Sequence, residues 1–276
     1  MAFSLEKNTK KAGFVLTKLQ IPVLRVWQIT DVSGSARDYH GSGLAQLALN
    51  IIAVIAFLID DDGKLPTAIF SSKWKIIKEM TKQNWENFVK KEIMVKELEN
   101  ILWNYTYFNG VLRGVLKEEG FINKKEQKVD SPNDDKTWVA VYTDGDFDDP
   151  NDVLRTLKEF ENSNVFIMFI GLGEPRSDFR TLKQWAWGND EKNWPLDSKN
   201  HNLYGFKNVD FVNFKQMQEE LEGDDVYDRI LTTKFGKWYN GNQEVSVSSP
   251  ERTSVLLPEK KVKKKKPGLF SWLRWS

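Results

Sequence analysis

The 276-residue chain contains no cysteine. Disulfides, thiol nucleophiles and thiolate metal sites are all excluded. Histidine is nearly absent as well: only His40 and His201 occur, which excludes a histidine-rich metal centre. The longest apolar run, LAQLALNIIAVIAFLI at 44–59, covers 16 residues and includes Gln46 and Asn50. A membrane span needs about 20 apolar residues, so this run is expected as a helix packed beside a sheet. The first residues, MAFSLEKNTKKAGF, have no long apolar segment behind their charges, and no secretory signal is expected. Net charge is small, at +1, but it is unevenly placed: residues 259–276 carry +6 and the other 258 residues carry −5. A nucleic-acid-binding surface spread over the whole protein is not indicated.

The chain is 40% hydrophobic and 29% charged, the composition of a soluble globular protein with enough apolar material for a core. Strand-like and helix-like segments alternate. VLRVWQIT (23–30), LPTAIF (65–70), TWVAVYTDG (137–145), NVFIMFIGLG (164–173) and VDFVNF (209–214) read as strands. Helices are expected over 44–59, over most of 73–102, and at 150–162, 177–187 and 224–239, with Pro150 and Asp152 in a first turn. Strands alternating with helices predict an α/β fold with a mostly parallel sheet. Such sheets carry their functional loops at the carboxyl ends of strands. The organisation expected is an N-terminal extension over 1–22, an α/β domain over 23–240, and a flexible linker with a basic, aromatic tail over 241–276. Residues 116–136 read as a polar surface loop after a helical start.

One loop at a strand end stands out. ITDVSGSARDYHGSG (29–43) places Asp31, Ser33 and Ser35 at alternate positions, with Gly34 to let the backbone turn. Two hydroxyls and a carboxylate form an all-oxygen set, suited to a hard cation such as Mg²⁺ rather than zinc. The D-x-S-x-S pattern arises by chance in about one chain of this length in 15. Taken alone it is a weak signal, and a serine-rich turn is the safer reading.

Further pieces give the loop its context. DVSGSARDYHGSGLAQ, DDDGKLPTAIF, NWENFV (84–89), TYFNGVL (106–112), YTDGD (142–146), FIGLGE (169–174), VDFVNF, and DVYDRIL followed by KFGKWY occur in that order. In these the chain resembles von Willebrand factor A (vWA) domains, and more narrowly the vWA domain of the TerF group in bacterial tellurium-resistance systems. The resemblance implies a Rossmann-like three-layer α/β fold with a metal-ion-dependent adhesion site. By position it makes Asp31, Ser33 and Ser35 the first-loop ligands, Thr106 the second-loop ligand and Asp144 the third. It implies Mg²⁺, with Mn²⁺ or Ca²⁺ as alternatives, and a protein partner whose acidic group fills the open coordination position. Two departures are visible. Ala36 stands where these domains usually carry methionine, and WNY (103–105) replaces the glycines that usually precede the threonine.

Other features have plainer readings. DDDG (60–63) reads as a solvated helix-to-strand turn. DGDFDD (144–149) is not an EF-hand, because Asp149 and Arg155 occupy positions that need Gly and Glu. Asp146, Asp148 and Asp149 read as a charged rim, and His40 as a surface or capping histidine. Trp185, Trp187, Trp194, Tyr204 and Phe206 read as core and loop packing. The G-x-G of FIGLGE lacks the rest of a dinucleotide-binding fingerprint.

The tail KKVKKKKPGLFSWLRWS follows six lysines (Lys260, Lys261 and Lys263 to Lys266) with Leu269, Phe270, Trp272, Leu273 and Trp275. Basic residues beside interfacial aromatics suit an anionic membrane surface, and a docking peptide suits the segment equally. No specific nucleic-acid partner is expected. The function expected is therefore a cytoplasmic, metal-dependent protein-interaction module in a tellurium or stress-resistance system, with peripheral contact at the inner membrane face. The alternative is a Mg²⁺-dependent hydrolase or phosphoryl-transfer enzyme. It would need a base for Ser33 or Ser35, and His40 is the only local candidate.

Overall fold

Strand β1 (Arg25–Asp31) is buried from Val26 to Asp31, and β4 (Thr137–Thr143) and β5 (Val165–Gly171) are buried throughout. Continuous burial suits parallel strands covered by helices on both faces, and VWQIT, WVAVYT and FIMFIG provide it. The computed structural model describes residues 3–60, 62–132, 135–145, 147–173, 179–188, 205–220 and 226–241. All of them lie in one unit, Met1–Val245. The remaining strands are β2 (Lys64–Phe70), β3 (Trp74–Thr81) and β6 (Val209–Asn213). Among the described residues the sheet order is β3–β2–β1–β4–β5–β6, with β3 antiparallel to β2 and every other pair parallel.

Side chains alternate across this sheet. Val26, Trp138, Tyr142, Phe166 and Met168 share one core with α1 (Leu5–Lys18), α3 (Leu44–Ile59), α8 (Val226–Ile230) and α9 (Thr233–Tyr239). Trp27, Ile29, Val139, Val141 and Phe169 share the other with α4 (Asn109–Glu118), α5 (Pro150–Phe160) and α6 (Arg180–Trp187). The result is the three-layer, Rossmann-like α/β fold expected from the sequence. The short helices α2 (Arg37–Gly41) and α7 (Phe214–Glu220) follow β1 and β6. Among the described residues no helix is long and apolar enough to cross a membrane. The 44–59 run instead forms α3, twelve of whose residues are buried.

The sheet has one topological switch point. From β1 the chain passes through α3 to β2 on one side, while β4 pairs with β1 on the other. The crevice outside the carboxyl ends of β1 and β4 is where sheets of this kind place ligands.

Three segments differ from the sequence reading. Residues 73–102 contain no α-helix. Ser71 N donates to Lys73 O at 2.8 Å in a tight turn, and β3 pairs back onto β2. Trp74, Ile76 and Ile77 favour a pleated edge, and only the long-range pairing decides between strand and helix. A π-turn at Val89–Ile93 and a 3₁₀ turn at Lys96–Leu98 follow. Residues 224–239 do not form one helix: Thr232, extended at φ −65° and ψ 161°, ends α8 and caps α9 by accepting from Phe235 N. Finally, the N-terminal extension contains α1, whose Ala12, Val15 and Leu16 are buried and which packs on α3.

Strand β3 is fastened to α4 by a glycine notch. Trp74 lies across the helix where a Cβ added at Gly110 would come within 3.2 Å of its ring, and one at Gly114 within 2.4 Å. In an exposed helix Gly→Ala gains up to about 1 kcal/mol. Here Gly114→Ala is expected to destabilise the protein by about 1 kcal/mol, because it lifts the ring off the helix. In a Trp74→Ala background the same change is expected to stabilise. A urea-denaturation double-mutant cycle reads the reversal of sign.

Candidate metal centre

Asp31 is the last residue of β1 and is only 1% exposed. Its carboxylate is held from both sides: Ser33 N donates to Oδ1 at 2.8 Å, and Thr143 Oγ1, at the end of β4, donates to Oδ2 at 2.8 Å. Ser33 and Ser35 follow within one turn, with their hydroxyls 3.2 Å apart. Ser35 donates to Asp144 Oδ1 at 3.2 Å. Either hydroxyl can be the donor between the two serines. Asp31, Ser33, Ser35 and Asp144 therefore form one cluster of oxygens at the β1–β4 crevice.

Electrostatics at the cluster favour a cation. Burial, and secondarily the neighbouring Asp144, raise the Asp31 carboxyl to about 7 against the hydrogen bonds from Ser33 and Thr143. Burial also raises Asp144, against the Ser35 hydrogen bond. Among the described residues no basic side chain acts on either carboxyl. Two desolvated carboxylates without a counter-charge stay ionised poorly on their own and well beside a divalent ion. Among the described residues no group of three or more His, Asp or Glu side chains is placed to hold a metal ion. The donor set here is instead two carboxylates with hydroxyls, which fits a hard ion such as Mg²⁺. Thr143 also suits the protonated state: with the proton on Asp31 Oδ2, its hydroxyl can turn to Gly145 O, 3.0 Å away.

Thr106 joins this cluster through its loop rather than through a side-chain hydrogen bond. Among the described residues no hydrogen bond joins its side chain to Asp31, Ser33, Ser35 or Asp144. Its loop is nevertheless tied to both others. Trp103 N donates to Val32 O at 2.7 Å, and Gly34 N to Asn104 O at 3.0 Å. Thr106 N donates to Asp148 Oδ2 at 2.7 Å, and Asp148 N to Thr106 O at 2.9 Å. Asp149 accepts from Phe108 N at 2.9 Å and Asn109 N at 2.8 Å, capping the start of α4. Two members of the expected charged rim do more than line it. Asp148 and Asp149 turn their carboxylates onto the second loop, where unpaired amides at a helix start need acceptors. Asp146 lies outside the described residues, as do Asp61, Trp194, Tyr204 and the Lys260–Trp275 tail.

Other readings change in the same region. His40 is buried at 6% exposure rather than lying at the surface. Its Nε2 is 2.7 Å from Asp31 O, and burial pushes its pKa down. The Asp31 carbonyl can only accept, so Nε2 carries the proton. Gly34 is not at positive φ, and a Cβ there would meet nothing closer than Trp103 O at 3.5 Å. The unusual backbone belongs to Trp103, at φ 66°. This residue takes, in WNY, the left-handed conformation that glycine adopts without strain. Arg37 lies 5.2 Å from its ring centroid, and His40 meets it edge-on at 6.2 Å. Trp185 and Trp187 are core residues, as read, and Phe206 packs beside them.

The sequence reading lacked Thr143, Asp148, Asp149 and Trp103 as parts of the site. One local signal was present: Asp149 precedes Pro150, a helix-start pattern, but its carboxylate caps α4 instead of its own helix α5.

A mostly parallel α/β sheet with an acidic and hydroxyl-bearing crevice at its switch point defines a vWA-type domain. Residues 23–247 match the vWA-TerF-like family, described as the vWA found in the TerF C terminus, and the chain belongs to that family. It is similar to the uncharacterised YcbR protein of Bacillus subtilis (strain 168), 23% identical over 277 residues and covering 98% of each chain. Among solved structures it is similar to the ArnB paralog VWA2 from Sulfolobus acidocaldarius, at 16% identity and TM-score 0.38, over 71% of this chain and 43% of that one. It is also similar to the manganese-loaded TRAP protein of Plasmodium vivax, at 16% identity and TM-score 0.41, over 71% of this chain and 70% of that one.

Two outcomes follow from this geometry. Asp31 is raised from 3.8 to about 7 in the folded chain. Its contribution to stability is therefore full below the unfolded value and lost as pH rises through the folded one. In EDTA, Asp31→Asn is expected to melt higher than wild type at about pH 8, with the gap shrinking towards about pH 5. Added Mg²⁺ should raise the wild-type melting temperature and leave the variant unmoved. For Trp103, a left-handed non-glycine residue costs about 1–2 kcal/mol. Trp103→Gly should therefore destabilise by less than Trp103→Ala in chemical denaturation.

Proposed function

We propose that this chain is a metal-dependent protein-interaction module in which Asp31, Ser33, Ser35, Thr106 and Asp144 hold a divalent cation. Mg²⁺ is the ion favoured, with Mn²⁺ and Ca²⁺ as alternatives. The observation that carries the reading is the buried Asp31 carboxylate, which shares a cluster with Asp144 and, among the described residues, has no basic side chain to offset it. When bound, the ion supplies positive charge at the mouth of the crevice, where an acidic group from a protein partner completes its coordination. Within the chain, Ser33 and Ser35 present hydroxyl oxygens, Thr143 orients Asp31, and Asp148 holds the backbone of Thr106. Family membership supports a place in a tellurium or stress-resistance type of system.

His40 supports interaction over hydrolysis. Its Nε2 is engaged by the Asp31 carbonyl and its Nδ1 is buried without a partner. Neither nitrogen reaches a serine hydroxyl as a general base. The compartment proposed is the cytoplasm, with the Lys260–Trp275 tail as a peripheral contact to an anionic membrane surface and no specific nucleic-acid partner.

Isothermal titration of the full chain with Mg²⁺ tests the metal. Asp31→Ala is expected to abolish binding and Thr106→Ala to weaken it about tenfold, within the range typical for loss of one metal-site contact. A pull-down in Mg²⁺ against EDTA tests the partner. Capture that survives in EDTA or in Asp31→Ala would refute metal-dependent recognition.

A further inference from the structure

The charge of the chain divides into three parts: +3 over residues 1–18, −8 over 19–258 and +6 over 259–276. The first of these falls on α1. Its inner side is accounted for, since Ala12, Val15 and Leu16 are buried and Tyr227 donates its hydroxyl to Asn8 Oδ1 at 3.0 Å. Its outer side carries Lys7, Lys10, Phe14 and Lys18. At 100° per residue these fall within about 80° of one another, so they form a single stripe. Lys7, Lys10 and Lys18 are exposed, and Phe14 is 61% exposed at the centre of the stripe. The only nearby acid on the helix is Glu6, paired with Lys10 at 2.9 Å across two well-exposed side chains. Such a pair is weak and screened by salt.

We propose that the outer stripe of α1 is a docking surface for an anionic lipid bilayer, with Phe14 entering the headgroup region and Lys7, Lys10 and Lys18 facing lipid phosphates. Charge complementarity carries the choice of occupant: a basic stripe is set on an acidic body, so the helix is the face that a negative surface attracts. The stripe is convex and has a lone ring among lysines, the pattern of a helix lying in a membrane interface. A phosphate backbone would pair with the lysines but give the phenyl ring no partner. The attachment point of the remaining chain agrees. Asn240 Nδ2 donates to Leu19 O at 3.0 Å, and Tyr239 OH to Val23 O at 2.8 Å. Gly241, the last residue described, therefore lies close to the end of α1, and the sequence beyond it has lysine, tryptophan and leucine content of its own. Stable attachment to a bilayer generally takes two such signals. This inference is independent of the metal reading.

Co-sedimentation of the full chain with vesicles tests it, comparing phosphatidylcholine alone with phosphatidylcholine containing about 30% phosphatidylglycerol, since basic residues respond to anionic lipid. The wild type is expected to partition to the anionic vesicles only. K7Q/K10Q/K18Q should lower that partition at least tenfold, and F14S about threefold or more, with melting temperature and Mg²⁺ affinity unchanged. Wild-type partition by either variant would overturn the proposal. So would equal binding to uncharged vesicles, or binding to duplex DNA rather than to vesicles through the same three lysines.

Discussion

The burial of one carboxylate governs the upper end of this fold. Asp31 ends a strand that is covered on both faces, and its ionised form is disfavoured there by desolvation and by Asp144. Its immediate surroundings are arranged to offset that cost. The Ser33 amide, the Thr143 hydroxyl, and the serine chain leading to Asp144 all provide or relay donors. The β1–β4 pairing sets Asp31 beside Thr143, because Thr30 faces Tyr142 in register. Sheet register and site chemistry are therefore one constraint: a shift of β4 by one residue would replace the hydroxyl at Asp31 with a side chain facing the wrong way.

Much of the fold was legible because the strands are continuous apolar runs and α3 is apolar nearly all round. Periodicity reports burial directly, and those elements are buried without reference to distant partners. The sequence was a poorer guide where burial was partial. Strand β3 lies at the sheet edge with Lys75 and Lys78 exposed, so its mixed pattern suits a helix as well as a strand. The break between α8 and α9 turns on Thr232, whose hydroxyl serves both Asp210 and the Phe235 amide. That double duty depends on a strand some twenty positions earlier, which local pattern does not report.

Within the site, Asp31, Ser33 and Ser35 were legible as a motif, because their spacing alone brings them together. Asp144 joined them through strand order. The members that hold loops in place were not legible. Asp148 and Asp149 look like solvated acids in a run of acids, yet their carboxylates receive amides forty or more positions away. Trp103 looked like a lost glycine. Its backbone sits in the left-handed region that glycine favours, with ring contacts to Arg37 and His40 to offset the strain.

The Trp74 notch bears on a different problem. An edge strand offers an unpaired row of amides and carbonyls to any other extended chain. β3 answers this with Lys75 and Lys78, exposed charges that discourage such pairing. The Trp74 ring adds a tether: seated on Gly110 and Gly114, it holds the start of the edge strand against the helix layer and so resists fraying of the sheet's margin.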